Sequence, residues 1–153
     1  MKQSPVRDFI EREVANQGHD LSDPDDGGIR VEWMMQAWEY AVAMEVKWGK
    51  PMITCITTLG VMVEPEKNAR GLRICEVSVG GRRCPTWTLV PTMLRALIDA
   101  RDEFELLEFY RQFQLIHPFR DGNGRVGKII YNWLLGKLDD PEMPPDLFGG
   151  GVP

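Results

Sequence analysis

The chain has 153 residues, 43% of them hydrophobic and 27% charged, which suits one compact domain with a buried core and is too short for two. The formal net charge of −5 argues against a general nucleic-acid binder. The charged N-terminus has no secretory apolar run and no segment is apolar enough to span a bilayer, so a cytoplasmic protein without a membrane partner is expected.

Ser4-Pro5 reads as an N-cap with proline at the first helical position, opening a short helix to about Asn16. GHDLSDPDDGG follows as a polar linker. Trp33, Ala37, Trp38, Ala41, Met44 and Trp48 recur at helical spacing, which predicts a helix from about Ile29 to Trp48 with a core-facing aromatic and Met stripe. A shorter helix is expected from about Met52 to Val61. Residues 72–90 change character: RICEVSV and RRCPTWTLV are β-branched runs joined by Gly80-Gly81, a hairpin signal.

With that turn, Cys84 sits opposite Val77. Cys75 and Cys84 are then diagonal, and they and Cys55 are expected as reduced, buried thiols. Helical periodicity returns with Met93, Leu94, Leu97 and Ile98. A helix from about Glu103 to Ile116 carries Leu106, Phe109, Tyr110, Phe113 and Ile116 on one face, and Pro118 stops it. The last helix runs from about Asn123 to Leu138, and DDPEMPPDLFGGGVP is an extended tail. The expected fold is mainly α, a single-domain helical bundle with one inserted β-hairpin.

Charge is unevenly spread. Acidic residues crowd into 8–45, 99–108 and 139–146, and between them lie Arg70, Arg73, Arg82, Arg83, Arg111, Arg120, Arg125 and Lys128. Such a run prompts a search for phosphate chemistry, and HPFRDGNGRVGK at 117–128 answers it. Asp121-Gly122-Asn123-Gly124 is a tight turn that brings backbone N–H groups close to a ligand and continues into a helix N-terminus, where unpaired donors and the dipole favour an anion. Arg125 in the first turn, Lys128 and Asn132 share one helix face, and Val126, Ile130 and Trp133 line another, so one side is expected to pack and the other to bind. Asp121 suits Mg²⁺, and His117 is the nearby side chain suited to accept a proton.

These residues resemble the signature of the Fic (filamentation-induced-by-cAMP) domain, H-x-F-x-[DE]-G-N-G-R-x-x-R, at every fixed position except the last, where Lys128 stands for arginine. The likeness extends over GLR at 71–73, the hairpin and VPTMLRAL. It implies a Fic domain over 21–140 with a core at 29–138, preceded by an N-terminal helix and linker start at 1–20 and followed by a tail at 141–153.

The resemblance also implies the transfer of AMP from Mg²⁺-bound ATP to a Ser, Thr or Tyr hydroxyl of a target protein, releasing pyrophosphate. His117 would be the general base, Phe119 a buried anchor and Asp121 the Mg²⁺ ligand. Gly122, Asn123 and Gly124 would form the anion hole, with Arg125 and Lys128 on the phosphates. The hairpin, with Val77, Ser78, Val79, Gly80, Gly81 and Arg82, resembles the flap that holds a target segment by strand addition.

Two points depart from the pattern or refine it. Lysine offers phosphate a point charge where arginine offers a fork. No Glu has Ser or Thr four residues before it, so the inhibitory [ST]-x-x-x-E-[GN] pattern is absent and no recognisable built-in brake is expected; either a separate antitoxin-like protein supplies one or regulation works differently. The similar Doc kinases carry lysine where Gly124 sits, which favours nucleotidyl transfer here, although some relatives use UTP or CDP-choline. The competing readings are a non-catalytic or altered-donor nucleotide-binding module, and the toxin of a two-protein pair.

Overall fold

The computed structural model describes residues 4–147, arranged as six helices and one two-stranded hairpin. Expectations for residues 1–3 and 148–153, including the end of the tail, lie outside the described residues. Helix α1 (Pro5–Asn16) starts with proline at its first position, as expected, although the Ser4 side chain makes no capping bond. The linker is a series of Asp-based turns. It hands over to α2 (Gly27–Trp48), and α3 (Ile53–Val63) follows.

The hairpin is shorter than its composition predicts. Strands β1 (Ser78–Val79) and β2 (Arg82–Arg83) pair antiparallel, Ser78 with Arg83 and Val79 with Arg82. Gly80 and Gly81 both have positive φ, 54° and 77°, the geometry that two central residues of a tight hairpin turn demand. Cys84 N–H donates to Val77 O at 3.1 Å, so the expected register holds. The ladder goes no further because the Arg73 guanidinium takes the carbonyls of Cys75 and Pro85, and proline has no N–H to offer. The WTL segment that reads as strand instead forms a 3-10 turn, Trp87–Leu89, leading into α4 (Val90–Asp99).

A second 3-10 turn, Arg101–Glu103, precedes α5 (Leu106–Ile116), which therefore starts later than its periodicity suggests. Helix α6 (Asn123–Leu135) ends at Gly136, φ 75°, a left-handed cap that stops it before Leu138. Every residue of α6 from Asn123 to Trp133 is buried, enclosed by α2, α3 and α5, while α1 packs on α2 and α4 on α5. The side carrying Arg125, Lys128 and Asn132 is therefore covered here as fully as the apolar packing side. The tail is strapped on: Asn132 exchanges side-chain bonds with the main chain of Glu142, and Trp38 Nε1 donates to Leu138 O at 2.8 Å.

The three cysteines are free, Cys55 and Cys84 buried and Cys75 only half-buried. Among the described residues no helix is long and apolar enough to cross a membrane.

Candidate active site

Helix α5 ends at His117, which has φ 52° and ψ 63° and is the one non-glycine residue with positive φ among those described. Proline at the next position excludes continued helix, and a left-handed β-carbon-bearing residue costs about 1–2 kcal/mol. That conformation is held at both ends: His117 N–H donates to Phe113 O at 3.1 Å, and His117 O accepts from Arg73 Nε at 2.7 Å. Burial pushes the imidazole pKa down to about 4, and the charges of Arg73 and Arg82 act in the same direction; the Gln114 carbonyl and Asp121 oppose them without reversing the shift. Nδ1 is buried, and no hydrogen bond of ordinary geometry satisfies it. The ring is therefore neutral throughout the neutral pH range.

The loop beyond His117 is closed by amide side chains. Phe119 is fully buried, its ring seated on Gly60 so closely that a Cβ there would lie 2.0 Å away. Asn123 bonds Phe119 twice, accepting its N–H at 2.8 Å and donating to its carbonyl at 2.9 Å. From the other side Asn68, also buried, donates to Asp121 O at 2.8 Å and Gly60 O at 2.9 Å. Gly122, φ 81°, caps α6 without a side-chain capping bond to the first-turn N–H groups of that helix. A loop tied this firmly presents those donors in a fixed arrangement, which an anion-binding site requires.

Asp121 stands at the rim with its side chain 36% exposed. Its Oδ2 meets Lys67 Nζ at 2.7 Å and its Oδ1 accepts the Gly122 N–H at 2.8 Å. Burial raises the carboxyl pKa, but Lys67, the Gly122 N–H and Arg125 outweigh it and the net shift is downward. Among the described residues no three His, Cys, Asp or Glu side chains cluster as a protein-only metal site. One rim carboxylate beside an anion cradle suits Mg²⁺, which takes one or two carboxylates and completes its shell with substrate phosphates and water.

Residues 62–135, from the end of α3 to the end of α6, match the family model described as Fic/DOC family. Those residues form a Fic/DOC segment within the chain. A probable protein adenylyltransferase of Aquifex aeolicus is 33% identical over 75 residues, a match covering 43% of this chain and 23% of that relative. The chain thus matches about a quarter of the relative's length.

Within this segment the two cations of the motif are both paired with carboxylates of the same chain. Arg125 is 2% exposed; its Nη2 meets Glu64 Oε1 at 2.9 Å and its Nη1 donates to Val63 O at 3.0 Å. Glu64, equally buried, also takes Arg30 Nε at 2.6 Å, giving an Arg-Glu-Arg group beneath the cradle. Lys128 Nζ is paired with Glu13 of α1 at 3.1 Å. Burial lowers the Lys128 pKa, yet Glu13 and Tyr110 raise it more, so it stays charged.

Glu13 and Gln17 bond each other at 2.7 Å and approach Gly124 so closely that a Cβ there would lie 2.7 Å from the Gln17 amide nitrogen. The end of α1 therefore covers the cradle. A glutamate does face the last cation of the motif, contrary to the expectation drawn from the missing [ST]-x-x-x-E-[GN] pattern. It was missed because Phe9 and Val14 stand at the two flanking positions of that pattern.

An open cavity of about 770 Å³ lies beside the loop, lined in part by Lys67, Arg70, Cys75, Val77 and Arg120. Its lining includes no residue of α6, whose start lies under α1. Sequence reasoning also missed Glu64, Asn68 and the role of Arg73. All three bond to the motif across more than 40 residues of chain, where no spacing rule reaches.

Proposed function

We propose that this protein transfers the AMP moiety of ATP to a hydroxyl group of a target protein. The observation that carries the reading is a neutral imidazole on a left-handed hinge, fixed next to an uncapped helix N-terminus. The target hydroxyl oxygen attacks the α-phosphorus, the bond to the β-phosphate oxygen breaks, pyrophosphate leaves, and the hydroxyl proton passes to His117. With Nδ1 buried, Nε2 is the nitrogen for that proton.

The main-chain N–H groups of Asn123 and Gly124, that of Gly122 once it leaves the Asp121 carboxylate, and the charge of Lys128 receive the phosphates, so that positioning and charge neutralisation lower the barrier. Arg125 supports that reading by fixing the helix start through Glu64 and Val63, a different role from direct phosphate contact. Asp121 would hold Mg²⁺, which supplies charge neutralisation on the triphosphate, with Lys67 released from its present ion pair. The outer edges of β1 and β2 offer main-chain groups to a target strand.

The form described here is the resting one in this reading. Glu13 holds Lys128, and α1 occupies the space over Gly124 that phosphates need. Regulation then lies within the chain, whether or not an antitoxin-like partner adds to it.

The test is incubation with α-labelled ATP, Mg²⁺ and candidate target proteins, followed by intact-mass analysis. An added AMP mass that disappears in His117→Asn supports the reading. Binding of ATP with no transfer, and identical behaviour of His117→Asn, would instead favour a non-catalytic nucleotide module; running CTP, GTP and UTP in parallel names the donor.

A further inference from the structure

The proposed base and the proposed target-holding hairpin belong to different elements, and one side chain joins them. Arg73 is 3% exposed, yet its guanidinium meets only main-chain carbonyls. Nε donates to His117 O at 2.7 Å and Nη2 to Ile116 O at 3.2 Å, both at the end of α5. Nη1 donates to Cys75 O at 2.9 Å and Nη2 to Pro85 O at 2.6 Å, one on each leg of the hairpin. Its own N–H reaches Pro118 O at 2.9 Å.

Burying a guanidinium without a bonded carboxylate is costly, and the cost is offset here by charge-assisted bonds and by the negative end of the α5 dipole. A fork with several diverging donors can serve four carbonyls at once, which a lysine cannot.

We propose that Arg73 is a positioning residue that locks the left-handed backbone of His117 and both legs of the hairpin into one frame, so that a hydroxyl laid along the hairpin is delivered to the imidazole. The inference rests on the roles proposed above for His117 and the hairpin. The frame itself can be tested without any transfer reaction.

The variant is Arg73→Lys, which keeps the charge and removes the fork. The chain has 2 His, so the ring resonances of His117 are simple to assign. In the variant the His117 signal should broaden and its titration midpoint rise from about 4 toward the ordinary value. With the charges of residue 73, Arg82 and Asp121 all retained, that rise reports lost burial. Amide signals of Val77 and Cys84 should move with it.

With an active preparation, kcat should fall and KM for the target protein rise, together costing about tenfold or more in kcat/KM, with ATP affinity unchanged. An unchanged His117 midpoint and unmoved hairpin amides would overturn the inference while leaving AMP transfer intact. Absence of transfer in the unaltered protein would sink the functional reading and leave the spectroscopic test standing. Should Arg73→Lys fail to fold, the unaltered chain decides: the Arg73 Nε–H should exchange at least about tenfold more slowly than those of exposed Arg70 and Arg83, and equal rates would refute the frame.

Discussion

His117 combines two requirements that pull in different directions, a left-handed backbone and a buried neutral ring. Asparagine tolerates that backbone far better than alanine, so His117→Asn separates chemistry from strain. Transfer by His117→Asn should fall by about 10²–10⁴ with little loss of nucleotide binding, measured by single-turnover labelling and by calorimetry. The same ring makes stability depend on pH. Its folded pKa of about 4 lies below the unfolded value near 6.5, so the unfolded chain takes up the proton first as pH drops. The contribution is fully present above the unfolded pKa and is lost as pH falls through the folded one. Denaturation midpoints should show a loss on the order of 3 kcal/mol across that window, and the slope should be reduced in His117→Asn.

At the scale of elements, the active loop depends on close packing of α3 under Phe119 and of α5 against α6. Gly60 and Gly127 mark the two contacts, with hypothetical Cβ atoms 2.0 Å from the Phe119 ring and 1.9 Å from Gln114 Nε2. Both side chains are fully buried, but the Phe119 ring is rigid while the Gln114 amide ends a longer, jointed side chain. Gly60→Ala should cost about 1–3 kcal/mol in urea unfolding and displace the loop, with Gly127→Ala the milder change. The hairpin is a contrasting element, with two residues per strand and little buried area, and it depends on Arg73 and the Gly80-Gly81 turn for its shape.

Across the whole molecule, the N-terminal helix and the motif are tied together by one ion pair, Glu13 with Lys128, in which the glutamate is 1% exposed. Removing one partner of a buried pair leaves the other charge uncompensated, so Glu13→Gln should lower overall stability. The same change removes the charge that binds Lys128 and weakens the tie that holds Gln17 over Gly124, so phosphate can displace the end of α1. ATP affinity and transfer should rise by about 5–150-fold, measured by titration calorimetry and product formation. A variant that loses stability without gaining nucleotide affinity would show that α1 only packs there.

Several features were legible in the sequence because they arise from local chemistry. Proline after His117 ends α5, Gly80-Gly81 sets the turn register, glycines open the helix start, and apolar spacing marks the helices. The phosphate-handling motif is equally local, since its residues lie within one loop and the helix turn that follows it.

Burial and pairing were decided only by the tertiary structure. Arg125 reads as a phosphate ligand until Glu64 is packed beside it, and Glu13 matches no pattern until α1 is laid across α6. A charged side chain is specified by whatever opposes it, and here the opposing groups come from distant parts of the chain. Spacing along a sequence fixes which residues share a turn, but desolvation and ion pairing depend on which elements meet in space.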